Sequence, residues 1–178
     1  MIYTFLYLKL MQRIKALVPE VQHIDLYNSQ PAVMDDGGEA PVNVPAVFIE
    51  FLPVDWTGSK IQQGDLVFNL YILTEATGTE TDSTEQADVI TSSLERLALK
   101  EKLFKALHGY QDSEAGTFTQ FGKIQRTTSR IDSNTQQLAT DVLTFKTRLW
   151  DDAAAPVYST AEINLRIKGD IVEGLNGA

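Results

Sequence analysis

Two short runs constrain the fold more than anything else in this sequence: Pro45–Leu52 (PAVFIEFL) and Asp65–Leu73 (DLVFNLYIL). Both are dense in the β-branched and aromatic residues that fit a pleated, half-buried strand. The stretch between them holds Pro53, Gly58 and Gly64 and is turn-prone, so the pair predicts a β-hairpin. Each run is apolar on nearly both faces, interrupted by Glu50 and Asn69. The hairpin is therefore expected at the centre of a sheet, with helices on one side and a loop or a neighbouring subunit on the other. Glu50, set among Phe48, Ile49 and Phe51, has to be paired, solvated at an edge or placed at an interface. The solvated and the interface readings both stand.

Helical and strand periodicities fill in the rest. Ile2, Phe5, Leu6, Leu10, Ile14, Leu17 and Val18 form an apolar stripe that Pro19 stops, which predicts a first helix. Val21–Tyr27 alternates in the manner of a half-buried strand. Asn28–Val44, with Pro31, Asp35-Asp36-Gly37-Gly38 and Pro41, predicts a mobile loop. After a polar linker at Thr74–Asp82, Ser83 and Gln86 have capping-box spacing, and a helix runs from there to Gly109. Ile90, Leu94 and Leu97 share one face of it, whereas Leu99, Leu103 and Leu107 share another, so a kink or a second axis is expected near Ala98–Lys100. Phe121–Asp132 and Leu138–Trp150 predict a second hairpin across Ser133–Gln136, with Leu143, Phe145 and Leu149 pointing inward. Phe48, Phe51, Phe68, Leu70, Leu94, Leu103, Phe145 and Leu149 are the expected common core. The fold class is thus α+β, a single mixed, mainly antiparallel sheet built from two hairpins and packed by an N-terminal helix and a kinked or bipartite second helix.

Length and composition narrow the function. A chain of 178 residues suits one domain, taken as residues 1–152, followed by an extension at 153–178. A formal net charge of −9 argues against general binding to nucleic acid or to an anionic membrane. Without cysteine there is no disulfide, no thiolate nucleophile and no Cys-ligated metal. The apolar N-terminus has no basic region before it and is interrupted by Lys9, Gln12 and Arg13. It therefore reads as an amphipathic helix rather than a signal peptide or a membrane span, and synthesis in the cytoplasm is expected.

Candidate chemistry is sparse. His23 and Asp25 share a strand face and could form a metal or acid/base pair, but no further ligand or nucleophile lies nearby in sequence, so an ordinary half-exposed pair is the expectation. His108, before Gly109, sits where an imidazole complements a helix C-terminus. Asp35, Asp36 and Glu39 lack the alternating oxygen ligands of a calcium loop, and Gly37-Gly38 alone does not make a phosphate loop. No catalytic residue, cofactor or metal is assigned, and the chain is expected not to be an enzyme.

Charge is unevenly spread. Phe121–Trp150 holds five basic residues (Lys123, Arg126, Arg130, Lys146, Arg148) against two acidic ones, a net of +3 that leaves −12 for the remainder. Strand alternation places Arg126 with Arg130, and Lys146 with Arg148, each pair on one face. Such a basic face fits a solvated surface or an acidic surface on another copy. In the extension, Ile163, Leu165 and Ile167 recur at every second position, as in a strand-exchanging arm. Together with Glu50, these basic and apolar residues are the expected interface.

The order of elements also resembles a known family. A leading helix, a Pro-rich loop, the run Pro45–Phe51, a connection containing Trp56, Gln63-Gly64-Asp65 before a second strand, a bipartite helix closing in His108-Gly109 and a final hairpin are similar to the tail terminator and tail-completion (head–tail joining) proteins of long-tailed phages. The similarity spans Gln12–Asp151. It implies subunits associated in a ring that caps the tail tube and joins it to the head. The implied partners are other copies, the tail tube and head-connector proteins, and the implied location is the virion when a prophage is active. Two other classes are weighed beside it: a small-ligand or peptide-binding module using a pocket between hairpin and helix, and a hydrolase built around His23 and Asp25.

Overall fold

The computed structural model describes residues 2–29, 43–75, 86–111, 120–134 and 138–152, with side chains omitted at 86–90 and 133–134. In chain order the elements are α1 (Ile2–Leu17), β1 (His23–Leu26), β2 (Ala46–Phe51), β3 (Gln62–Glu75), α2 (Gln86–Leu107), β4 (Gln125–Asn134) and β5 (Leu138–Asp151). The strands form one five-stranded sheet in the order β1-β2-β3-β5-β4. Only β1 and β2 run parallel; the other three pairings are antiparallel. The α+β class, the mixed sheet and both hairpins are as the sequence predicts. The hairpins join through the β3–β5 ladder, which runs from Gln62 opposite Asp151 to Glu75 opposite Leu138. The predicted loop at 28–44 falls mainly, and the capping Ser83 and the extension at 153–178 fall wholly, outside the described residues.

Helix α1 buries Ile2, Leu6, Leu10 and Ile14, one residue per turn, and Val18 continues the row. Val18 N–H still donates to Ile14 at 2.8 Å before Pro19 ends the helix. The stripe is narrower than its apolar residues suggest, because Leu17 is exposed. This row packs on the sheet face formed by Val47, Ile49, Leu66, Phe68, Leu70, Ile72, Leu143, Phe145 and Leu149. Phe68 and Phe145, opposite each other on β3 and β5, stack at 5.4 Å between centroids. Each is fully buried, worth about 1.5–3 kcal/mol by area removed from water.

Helix α2 narrows one expectation. It runs without a break across Ala98–Lys100, so it is not two helices, and only one of its two leucine rows is covered. Leu99, Leu103 and Leu107 enter the core, while Leu94 and Leu97 are 60% and 58% exposed. Two rows half a turn apart need either a change of axis or two covering layers, and among the described residues only the Leu99, Leu103 and Leu107 row is covered. Leu94 therefore leaves the expected core list; the side chain of Ile90 is not among those described.

The sheet also has a second apolar cluster on its other face. Ala46, Phe48, Tyr71, Leu73, Leu138 and Val142 are buried there, with Tyr27 and Val44 packed against them. Phe48 is thus fully buried, but not in the core with Phe68. The remaining expected core residues, apart from Leu94, sit in or against the helix-side cluster.

Candidate interaction surface

Antiparallel register sorts the sheet's second face into rows. Glu50 lies opposite Asn69 and Asn69 opposite Thr144; Val67 opposite Lys146; Asp65 opposite Arg148; and Arg130 opposite Val142. The face grades from the buried apolar cluster at one end to exposed charges at the other. Glu50 is resolved by this geometry. Its carboxylate accepts hydrogen bonds from Asn69 Nδ2 at 2.8 Å and Tyr71 OH at 2.9 Å, and Thr144 Oγ1 donates to Asn69 Oδ1 at 2.9 Å. Burial, then the bond to Glu50, pushes the Tyr71 phenol up to about 12. Tyr71 also stacks on Tyr27, with centroids 4.1 Å apart. Glu50 stands out in the sequence as an acid in an apolar run, whereas Tyr27, just past β1, and Tyr71 on β3 are brought together only by the fold.

Of the expected basic residues, Arg130, Lys146 and Arg148 share this face and Arg126 does not. A register shift between Arg126 and Thr128 adds a residue to β4 and turns Arg126 to the helix side, opposite Phe145. There its guanidinium sits 3.8 Å from the ring centroid of Phe104. The pairing of Arg126 with Arg130 on one face is thereby overturned by the bulge. Arg148 makes two hydrogen bonds to Asp65, at 2.8 and 3.0 Å, and this bond holds the Asp65 carboxyl below the usual carboxylate range. Arg130 meets Asp132 at 3.2 Å. The side chains of 125–132 along edge strand β4 are all exposed. Ile163, Leu165 and Ile167 lie outside the described residues.

The histidines take structural positions. His23 packs its ring on Phe48, with centroids 5.7 Å apart. Asp25 Oδ1 accepts a hydrogen bond from Leu26 N–H at 2.7 Å. His108 Nδ1 accepts from Arg126 N–H at 3.2 Å, so the imidazole latches the end of α2 to β4. Gly109, at φ +82°, turns the chain after the helix. Among the described residues no three His, Asp or Glu side chains gather as a metal site would require, and no helix is long and apolar enough to cross a membrane. Asp35, Asp36, Gly37, Gly38 and Glu39 fall outside the described residues.

Two further features were not read from the sequence. Asp141 on β5 is buried and accepts from Arg96 Nε at 2.5 Å and Lys100 Nζ at 2.8 Å, which ties α2 to the sheet. A cation pair four residues apart on a helix was its available signal. A cavity of about 540 Å³ lies between α2 and the ends of β2 and β3, lined in part by Glu20, Val44, Thr74, Glu95 and Leu99.

No family model matches the sequence, and no curated protein matches it. Among solved structures, the chain is similar to one in a structure titled "Virion of native gene transfer agent (GTA) particle". The TM-score is 0.42 at 14% identity, over 80% of this chain and 92% of that one. A likeness this slight says nothing about function.

Proposed function

We propose that this protein is a structural assembly component of the tail terminator or tail-completion class, forming a ring that caps a tail tube and joins it to the head. The observation that carries this reading is the gathering of Glu50, Arg130, Lys146 and Arg148 on the sheet face away from the helices, beside edge strand β4 with its side chains exposed at 125–132. A broad charged surface of this kind suits another protein better than a small molecule, which needs a concave, mostly apolar pocket. The class itself comes from the resemblance in element order and in the motifs at the joints. Those motifs have mechanical roles here: Trp56 packs edge-on to Tyr3 of α1, and Gly64 lets β3 pass close under Val54. The arm with Ile163, Leu165 and Ile167 is a further contact element of the proposal. No bond-making chemistry belongs to it.

Binding to isolated tail tubes tests this function. Deleting residues 156–178, and separately reversing Arg130, Lys146 and Arg148, should each abolish co-sedimentation with tubes while circular dichroism stays unchanged. If both variants cap tubes as the parent does, these surfaces are not the working ones. The cavity beside α2 favours a second reading, a small-ligand module, because its volume falls in the range of such sites. A metabolite retained through purification and released on denaturation would support that reading.

A further inference from the structure

We propose that the open edge of β4 takes the arm of a second copy as a further strand, with Glu162 of the arm opposite Arg130 and with Ile163, Leu165 and Ile167 on the helix face. This deepens the assembly reading above and rests on it.

Strand β4 ends the sheet on its side, and among the described residues no strand lies beyond it. Arg126 N–H is held by His108, so the free ladder starts after it. Register shifts after Arg126 and after Ile131 leave Thr128–Ile131 as the regular stretch. Helix α2 overhangs this edge. Its Phe104 and His108 both reach Arg126, and Leu97 stands about two turns earlier on the same side. Arg96 and Lys100 hold Asp141, the residue opposite Ile131, which brings Leu97 level with Ile131. Ile131 is 65% exposed, and Leu97 and Leu94 are exposed as well, so apolar surface borders the open edge on the helix side. An added strand with an apolar helix face covers what the isolated subunit leaves in water.

The arm has that pattern, since Ile163, Leu165 and Ile167 alternate with Glu162, Asn164 and Arg166. Antiparallel pairing with Glu162 opposite Arg130 joins acid and cation on the sheet face away from the helices, and sets Ala161 opposite Ile131 and Ile163 opposite Ser129. Leu165 and Ile167 continue past the bulge toward Phe104. Arg166 falls on the far face, whereas Arg126 is turned to the helix face, so these two cations are kept apart. The bond from Arg130 to Asp132 within the chain is an exposed ion pair and gives way readily.

Reach selects a second copy as the donor of the arm. From Asp151 back to the level of Ile131 is about 33 Å along β5, with two strand spacings of ~4.8 Å to cross. The ten residues from Asp151 to Ala161 span at most ~33–36 Å when fully extended. A subunit's own arm would need all of that length, and would also have to round the segment at 120–122, which bonds to the end of β5 through Gly122 N–H to Arg148 O and Trp150 N–H to Gln120 O. Giving an arm on one side and receiving one on the other is a head-to-tail contact, which closes into a ring when the rotation per subunit permits.

The absence of native cysteine makes the test direct. Full chains carrying Ser129→Cys and full chains carrying Ile163→Cys are mixed in equal amounts and oxidised, alone and with tail tubes present. Opposed residues of an antiparallel pair stand at a separation a disulfide spans. The expected product on non-reducing gels is a dimer holding one chain of each kind, with monomer only from either variant by itself. Arg130→Glu in the first chain and Glu162→Arg in the second should each abolish the dimer, and the two together should restore it. No mixed dimer, a dimer from Ser129→Cys alone, or a dimer indifferent to both charge reversals would overturn the docking. Rings detected by light scattering or at tube ends without the mixed dimer would overturn the docking and leave the assembly reading standing. A chain that stays monomeric with and without tubes would remove both.

Discussion

Asp141 on β5 and Arg96 on α2 meet at 2.5 Å, and Lys100 closes on the other carboxylate oxygen at 2.8 Å. The acid is 2% exposed, so its charge is tolerated only because two cations face it. Asp141→Ala removes the buried carboxylate that faces both half-buried cations and should cost ~3–5 kcal/mol in urea unfolding. A cost below that of an exposed ion pair would show that α2 does not depend on this contact.

Substitutions along α2 should separate its two leucine rows. Leu103→Ala opens a cavity in the core and should cost ~2–5 kcal/mol, whereas Leu94→Ala should stay within about 0.5 kcal/mol. Equal costs in denaturant midpoints would contradict the single covered row.

Gly64→Ala should destabilise by ~1–3 kcal/mol, because its Cβ would fall 2.3 Å from Val54 Cγ1 and 3.0 Å from the Asp55 carbonyl oxygen. Pairing the change with Val54→Ala should recover part of the loss. Thermal melts of the single and double variants decide it.

Tyr71 predicts an alkaline limit. Its folded pKa is about 12, above the ordinary phenol value of 10.0, so the native state holds the proton after the unfolded chain has lost it. The contribution is intact below pH 10 and is lost as pH rises through 12. Tyr71→Phe should flatten that part of the stability profile, measured by urea unfolding between pH 9 and 12. An unchanged slope would mean that burial and the bond to Glu50 do not hold the phenol's proton in the folded state.

Most of the architecture was legible because strand alternation and helix periodicity are local signals. The runs around Phe48 and Phe68 announced the central hairpin, and the spacing of Ile2, Leu6, Leu10 and Ile14 announced α1. What was illegible depended on the number of layers and on register. Nothing in the sequence says that Leu94 and Leu97 stay exposed while Leu99, Leu103 and Leu107 are covered. The fate of Arg126 turned on one extra residue at a bulge, which reverses a strand's in/out pattern without leaving a mark in composition. Glu50 could be singled out as an acid in an apolar strand, but its partners Asn69 and Tyr71 became its neighbours only through the β2–β3 register.

The central claim, assembly into a ring at the end of a tail tube, is tested most directly by mixing the purified chain with tubes and imaging by negative stain, with light scattering on the free chain in parallel. The expected result is a discrete ring at one end of each tube, lost when Arg130, Lys146 and Arg148 are reversed. A chain that remains monomeric at every concentration and leaves the tube ends bare would contradict it.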